Sequence, residues 1–161
     1  MEAGAIWANL VVATNGATTL TGRSKGLSFP EDREQFHSLR SQAKAILIGG
    51  ATFRTEPYKS SPLPLYIATR HGNRARRQYS VSPQELVEIA LREVGSPLLI
   101  EGGVNFLKPL LVESIVDTFF LTRSKVLGDG DFFAETLLAS YQRIASTEFN
   151  AGVLERWQPR R

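Results

Sequence analysis

The chain contains no cysteine. That absence excludes disulfides, thiolate metal sites and covalent chemistry through sulfur, and it favours a cytoplasmic setting. Histidine is almost absent too: His37 and His71 are the only two, too few for a histidine-rich metal centre. Nowhere does an apolar run approach the roughly 18 residues that a membrane-spanning helix needs. The opening segment, MEAGAIWANLVVATNG, lacks the charged start, long apolar stretch and small-residue cleavage site of a secretory leader. Internal repeats, low-complexity tracts and linkers are also missing, so residues 1–161 are expected to form one domain.

What the chain does have is a core-forming share of apolar residues, 42%, and a modest basic excess. The net charge is +3 and the pI about 9.4, a balance that suits an anionic ligand. The sharpest cluster is RHGNRARR, with Arg70, Arg74, Arg76 and Arg77. A solvated loop, a phosphate contact or a nucleic-acid patch would each account for it. No aromatic residue interleaves with these arginines and no zinc-finger or RNA-binding signature accompanies them, which argues against nucleic acid.

Apolar runs alternate with amphipathic segments along the chain. Strands are predicted for IWANLVVAT (6–14), AILIGG (45–50), PLYIATR (64–70), PLLIEGG (97–103) and VDTFFLTRSKV, with a C-terminal hairpin formed by YQRIASTEF and GVLERWQ. Helices are predicted for PEDREQFHSLRSQA (30–43), for SPQELVEIALREVG (82–95) and for VNFLKPLLVES. The first carries Pro30 and acids in its opening turn. The second reads as a capping box, Ser82 with Glu85, closed by Gly95. A short helix follows AILIGG and stops at Pro57. The segments ATTLTGRSKGLSFP and GDGDFF read as a long loop and a turn. Strands alternating with helices predict an α/β domain with a mostly parallel central sheet and an antiparallel C-terminal edge.

Two of the strands end in glycine pairs, Gly49-Gly50 and Gly102-Gly103. In open α/β sheets, ligands lie beyond the carboxyl ends of the strands. Glycine there exposes backbone N–H groups, and the helix that follows turns its positive end toward an anion. A tight turn alone also explains either pair, but two at equivalent positions suggest a dinucleotide or diphosphate gripped at both. Neither pair belongs to the three-glycine dinucleotide fingerprint or to a Walker loop.

AILIGGATFRTEPY resembles a strand and helix start of the dihydrofolate-reductase-like three-layer fold, LYIATR resembles its next strand, and LLIEGG its later glycine-pair strand. Within that fold the chain is most similar to the pyrimidine reductase of riboflavin biosynthesis, the reductase half of the bifunctional deaminase–reductase. The marks, in order, are Asn15-Gly16, Leu39-Arg40, Gly49 to Thr52, Glu56 and Glu101-Gly102-Gly103. Ala13, Asn15 and Glu56 depart from the serine, aspartate and aspartate usual in that family.

The resemblance implies hydride transfer from NADPH to the ribose C1 of a ribosylaminopyrimidine phosphate, in a homodimer with no nucleic-acid or membrane partner. Gly49, Gly50, Thr52 and the backbone of Gly102, Gly103 and Val104 would hold the pyrophosphate; Thr69 and Arg70 would take the 2′-phosphate. Asn15 would lie where the nicotinamide end meets the substrate. For the substrate, Arg40 and Glu56 are implied contacts, with Arg40 on the phosphate, and Glu101 would read the amino groups of the pyrimidine. Each has a plainer alternative: Thr52 a helix cap, Asn15 a turn, Arg40 a salt bridge, Glu101 a structural contact. Asp32 stands four residues before Phe36, as the proton-donating acid of dihydrofolate reductases does, or it is simply an acid in a helix's first turn. Phe36 and Phe106 are assigned to the core. A pterin reductase of the same fold, a non-catalytic nucleotide-binding protein and a basic nucleic-acid binder are the alternative functions.

Overall fold

The computed structural model describes residues 5–58 and 61–161. Its central strands come from the fully apolar runs, since a strand covered on both faces gains from an apolar side chain at every position. β1 (Ile6–Val12), β3 (Ala45–Gly49), β4 (Leu65–Ala68), β6 (Leu98–Gly102) and β7 (Thr118–Ser124) run parallel, with the two-residue β5 (Gln78–Tyr79) beyond β4. The antiparallel hairpin of β9 (Tyr141–Phe149) and β10 (Gly152–Pro159) completes an eight-stranded sheet in the order β5-β4-β3-β6-β1-β7-β10-β9. The predicted α/β class, parallel sheet and antiparallel edge are all present.

Helices cover both faces. α3 (Pro83–Val94) and α4 (Val104–Val112) bury Leu86, Val87, Leu107 and Leu110 against Ala8, Leu47, Leu98 and Ile100. α1 (Pro30–Gln42) lies on the opposite face, where Leu39 and Ala43 pack on Leu99 with Trp7 and Phe120 alongside. Adjacent strand residues thus feed different layers, as the period of two requires. α2 (Gly50–Thr55) follows β3 directly, and Phe53 packs on Ile46, Ile48 and Ile67. In α3 the predicted capping box is formed: Ser82 Oγ accepts from the Glu85 N–H at 3.2 Å, and Glu85 accepts from the Ser82 N–H at 3.4 Å.

Three local readings need correction. β1 ends at Val12 rather than Thr14, because the Ala13 N–H turns to donate to Ala17 O at 2.7 Å and the Gly16 N–H to Ala13 O. The segment read as a long loop contains β2 (Ala17–Thr19), which pairs antiparallel with β8 (Gly130–Phe132) from the GDGDFF turn. Three residues show no periodicity of their own, so this ladder exists only through its partner. The basic loop is not irregular throughout: it holds a 3-10 turn at Arg74–Arg76 and ends in β5.

Candidate active site

β3 and β6 are neighbours, paired up to Ile48 opposite Gly102, so the two glycine pairs emerge side by side at one end of the sheet. Together with α1 and residues 20–28 they border a cleft of about 1060 Å³. Asp32, Arg40, Gly49, Gly50, Thr52, Glu56, Glu101, Gly103 and Val104 all line it. Asn15, Thr69, Arg70 and Gly102 are not part of the lining. Phe36 and Phe106, assigned to the core by their spacing, also reach the cleft; Phe106 is buried beneath it, but Phe36 is only partly covered.

The glycine end of the cleft is bare backbone with hydroxyls beside it. A Cβ on Gly103 would lie 2.9 Å from Thr52 Oγ1, and one on Gly50 would lie 3.2 Å from Thr69 Oγ1. Thr69 therefore flanks the glycine turn although it does not line the cleft. Gly102 has φ +115 and is joined to Gly103 by a cis peptide; that φ belongs to glycine. Gly103 then caps the N-terminus of α4, whose first N–H groups have no partners within the helix. This cradle, which any side chain at Gly103 would fill, fits a pyrophosphate held by backbone N–H groups. Arg70 is exposed beyond it, in the segment between β4 and β5.

Further in, Glu101 stands on the α1 face of β6. Its side chain is 2% exposed and takes a two-pronged hydrogen bond from Arg40, Nε at 2.7 Å and Nη2 at 2.6 Å. Tyr58 donates its hydroxyl to the same carboxylate at 2.8 Å. The Arg40 guanidinium is sandwiched over the rings of Phe36, at 4.2 Å, and Tyr58, at 5.5 Å. Burial, then the charge and hydrogen bond of Glu101, push the Tyr58 phenol far above its usual range. Burial works against the Arg40 cation, but the hydrogen bond and charge of Glu101 outweigh it, and the guanidinium is held more firmly charged. Of the plainer alternatives, Arg40 is indeed in a salt bridge, and its partner, Glu101, is itself an implied substrate contact.

Asp32 is 6% exposed and lines the cleft. It accepts hydrogen bonds from Ser28 Oγ and, at 2.6 Å, from Thr122 Oγ1 on β7. No ion pair reaches it among the described residues. A carboxylate buried on hydroxyls alone is well suited to accept from adjacent N–H groups of a heterocycle.

Residues 20–28 form a strap across the mouth. Glu56 accepts the Ser24 N–H at 2.8 Å, and Asp129 accepts the Thr21 N–H at 2.8 Å. Asn15 is likewise engaged: its amide donates to Gly128 O at 2.9 Å and accepts from the Gly128 N–H at 3.2 Å, clasping two loops. Sequence reasoning missed Tyr58, Ser28 and Thr122, and on the strap Arg23 and Lys25, all of which line the cleft or bond to a residue that does. Thr122 carried a signal, since it alternates with Phe120 on the face that α1 covers; Tyr58 stood in the TFRTEPY motif without a role.

Comparison with known proteins bears on this arrangement. The family described as RibD C-terminal domain matches residues 15–148. No curated protein matches the sequence significantly. Among solved structures, the fold is similar to the diaminohydroxyphosphoribosylaminopyrimidine deaminase/5-amino-6-(5-phosphoribosylamino)uracil reductase of Thermotoga maritima, with a TM-score of 0.74 and 13% identity. The likeness covers 98% of this chain and 57% of that one, so this chain spans little more than half of the larger protein. It is also similar to the dihydrofolate reductase of Enterococcus faecalis complexed with NADP(H) and RAB-propyl: TM-score 0.70, 18% identity, 97% of this chain and 96% of that one. The three-layer architecture is the dihydrofolate-reductase-like one.

Proposed function

The chain belongs to the RibD C-terminal domain family, and from that premise we propose that it is an NADPH-dependent reductase of a ribosylaminopyrimidine phosphate in riboflavin biosynthesis. One observation carries the reading above the others: the two glycine turns and Thr52 form a bare-backbone cradle that opens directly onto the acid-lined chamber of Glu101 and Asp32. A cofactor held by its pyrophosphate in the first would reach a ring held in the second.

NADPH, when bound, supplies the hydride, and the chain supplies position and charge. The N–H groups of Gly103 and Val104, with the Thr52 hydroxyl, would hold the pyrophosphate; Thr69 and Arg70 would meet the 2′-phosphate and favour NADPH over NADH. Glu101, fixed by Arg40 and Tyr58, keeps a carboxylate in one orientation toward the amino groups of the pyrimidine. Phe36 and Phe106 supply apolar walls that keep water from the ring. Ring opening of the ribosylamine gives an imine at C1, and hydride at C1 with one proton from solvent at the nitrogen leaves the ribityl chain, a sequence that needs no covalent intermediate on the protein.

The second reading, a pterin reductase, is favoured by Asp32, whose buried carboxylate on Thr122 and Ser28 could hold the amino and ring N–H groups of a pterin. The test is NADPH oxidation assayed with 5-amino-6-(5-phosphoribosylamino)uracil and with dihydrofolate, using the wild type and Asp32→Asn. We expect turnover of the pyrimidine, with Asp32→Asn retaining it within about tenfold, an effect of about 1.4 kcal/mol. Turnover of dihydrofolate alone, abolished by Asp32→Asn, would transfer the assignment to the second reading.

A further inference from the structure

Building on the pyrimidine-reductase reading, we propose that Arg23 and Lys25 on the strap and Arg33 on α1 form the subsite for the anionic tail of the substrate, its phosphate ester, and that Glu56 is a positioning residue that fixes this subsite by holding the strap. The reasoning begins with elimination. Arg40, the residue implied for this role by resemblance, already gives both prongs of its guanidinium to a carboxylate only 2% exposed. Drawing it away to a phosphate would leave that buried carboxylate unpaired, which is among the more destabilising changes a protein interior can suffer.

Of the other cations that line the cleft, Arg23, Lys25 and Arg33 are exposed and take part in no ion pair among the described residues. The Arg33 guanidinium lies over the Phe36 ring, 4.9 Å from its centroid. Charge is therefore segregated along the cleft. Buried acids, Asp32 and Glu101, stand deep, and cations without an ion pair among the described residues stand on the strap and on the cleft side of α1, beside Phe36. Of the remaining acids on the lining, Asp131 enters from β8 and Glu56 is spent on the Ser24 N–H. Such a cleft fits a bipolar ligand: an amino-bearing ring inward and a dianion outward.

The strap reaches the mouth because it is tied at two points. The Glu56 carboxylate takes the N–H of Ser24, the residue between Arg23 and Lys25, and Asp129 takes that of Thr21. Glu56, an implied substrate contact, thus acts through the two cations it presents. The carboxylate tail of a folate-type substrate has the same chemistry as the phosphate, so the two sources are separated by assay.

The test is steady-state kinetics with the phosphorylated pyrimidine, its dephosphorylated counterpart and dihydrofolate, on the wild type, Arg23→Ala/Lys25→Ala, Arg33→Ala, Glu56→Ala and Glu56→Gln. Calorimetric titration with ribose 5-phosphate accompanies it. The double variant and Arg33→Ala should each raise KM for the phosphorylated substrate about tenfold or more, leaving kcat and NADPH affinity unchanged. KM for the dephosphorylated compound should not move. Glu56→Ala should behave like the double variant, while Glu56→Gln, which keeps an acceptor oxygen, should recover most of the loss. An effect confined to dihydrofolate would assign the cations to a carboxylate tail and overturn the phosphate proposal. Should no substrate turn over, the ribose 5-phosphate titration decides alone: charge-dependent binding supports the subsite even as the reductase reading falls, and no binding, or equal binding by all variants, overturns it.

Discussion

Arg40, Glu101 and Tyr58 form the unit on which the chamber depends. The carboxylate is buried and satisfied by two donors, so removing its charge strands a guanidinium that is itself half-buried. Glu101→Gln should lower stability by about 3 kcal/mol and Tyr58→Phe by about 1 kcal/mol, both read from denaturant midpoints. Replacing Arg40 and Glu101 together with apolar residues should cost much less than the sum of the single changes, because neither charge is then left alone. The phenol adds a pH signature. Its folded pKa is raised by burial and by Glu101, so the folded state holds the proton more tightly than the unfolded chain. The contribution is complete below the ordinary phenol pKa of about 10 and fades as pH rises above it toward the folded value. Denaturation midpoints of the wild type should therefore decline above about pH 10, more steeply than those of Tyr58→Phe. An identical decline in both proteins would show that the phenol is not coupled to the carboxylate. At this scale the sequence exposed residue identities but not pairings: nothing in the spacing of Arg40 and Glu101, 61 residues apart, indicates that each is the other's partner.

Among the elements, those with a strong local pattern were the legible ones. α3 has its capping box, its buried Leu86, Val87 and Ala90 stripe and its terminal Gly95 all within a short window. Ser82→Ala should cost about 1 kcal/mol in thermal or chemical denaturation, with no effect on ligand binding because Ser82 is not part of the cleft lining. The parallel strands were legible from their apolar runs. The β2–β8 ladder was not, because each strand is three residues long and its hydrogen bonds go to a segment more than a hundred residues away. The strap inherits that problem: its position is set by Glu56 and Asp129, two carboxylates from distant loops. α1 was found by its acids and by Pro30, yet its faces were misjudged. Phe36 looks like core by spacing, but the helix lies over the sheet at the edge of a cleft, so the ring covers Arg40 instead of packing inward.

For the whole molecule, the sheet order decides function. β6 is inserted between β3 and β1, so two glycine turns separated by more than fifty residues in sequence become adjacent. The order and spacing of glycines made their common end of the sheet legible, since both end strands of the same kind. Their adjacency depended on topology and could be reached from sequence only through resemblance to a fold. The antiparallel β9–β10 hairpin closes one edge of the sheet, beyond β7. Everything proposed for substrate and cofactor rests on the end with the glycine turns.

The most direct measurement is a fluorescence titration of the protein with NADPH and, separately, NADH, repeated on Gly103→Leu. Any side chain at Gly103 must displace the Thr52 hydroxyl, 2.9 Å from where its Cβ would stand. Saturable NADPH binding tighter than NADH binding, lost in a Gly103→Leu variant that still melts cooperatively, is the predicted result. Failure of the folded wild type to bind NADPH, or undiminished binding by Gly103→Leu, would contradict the reductase assignment and the cradle on which it stands.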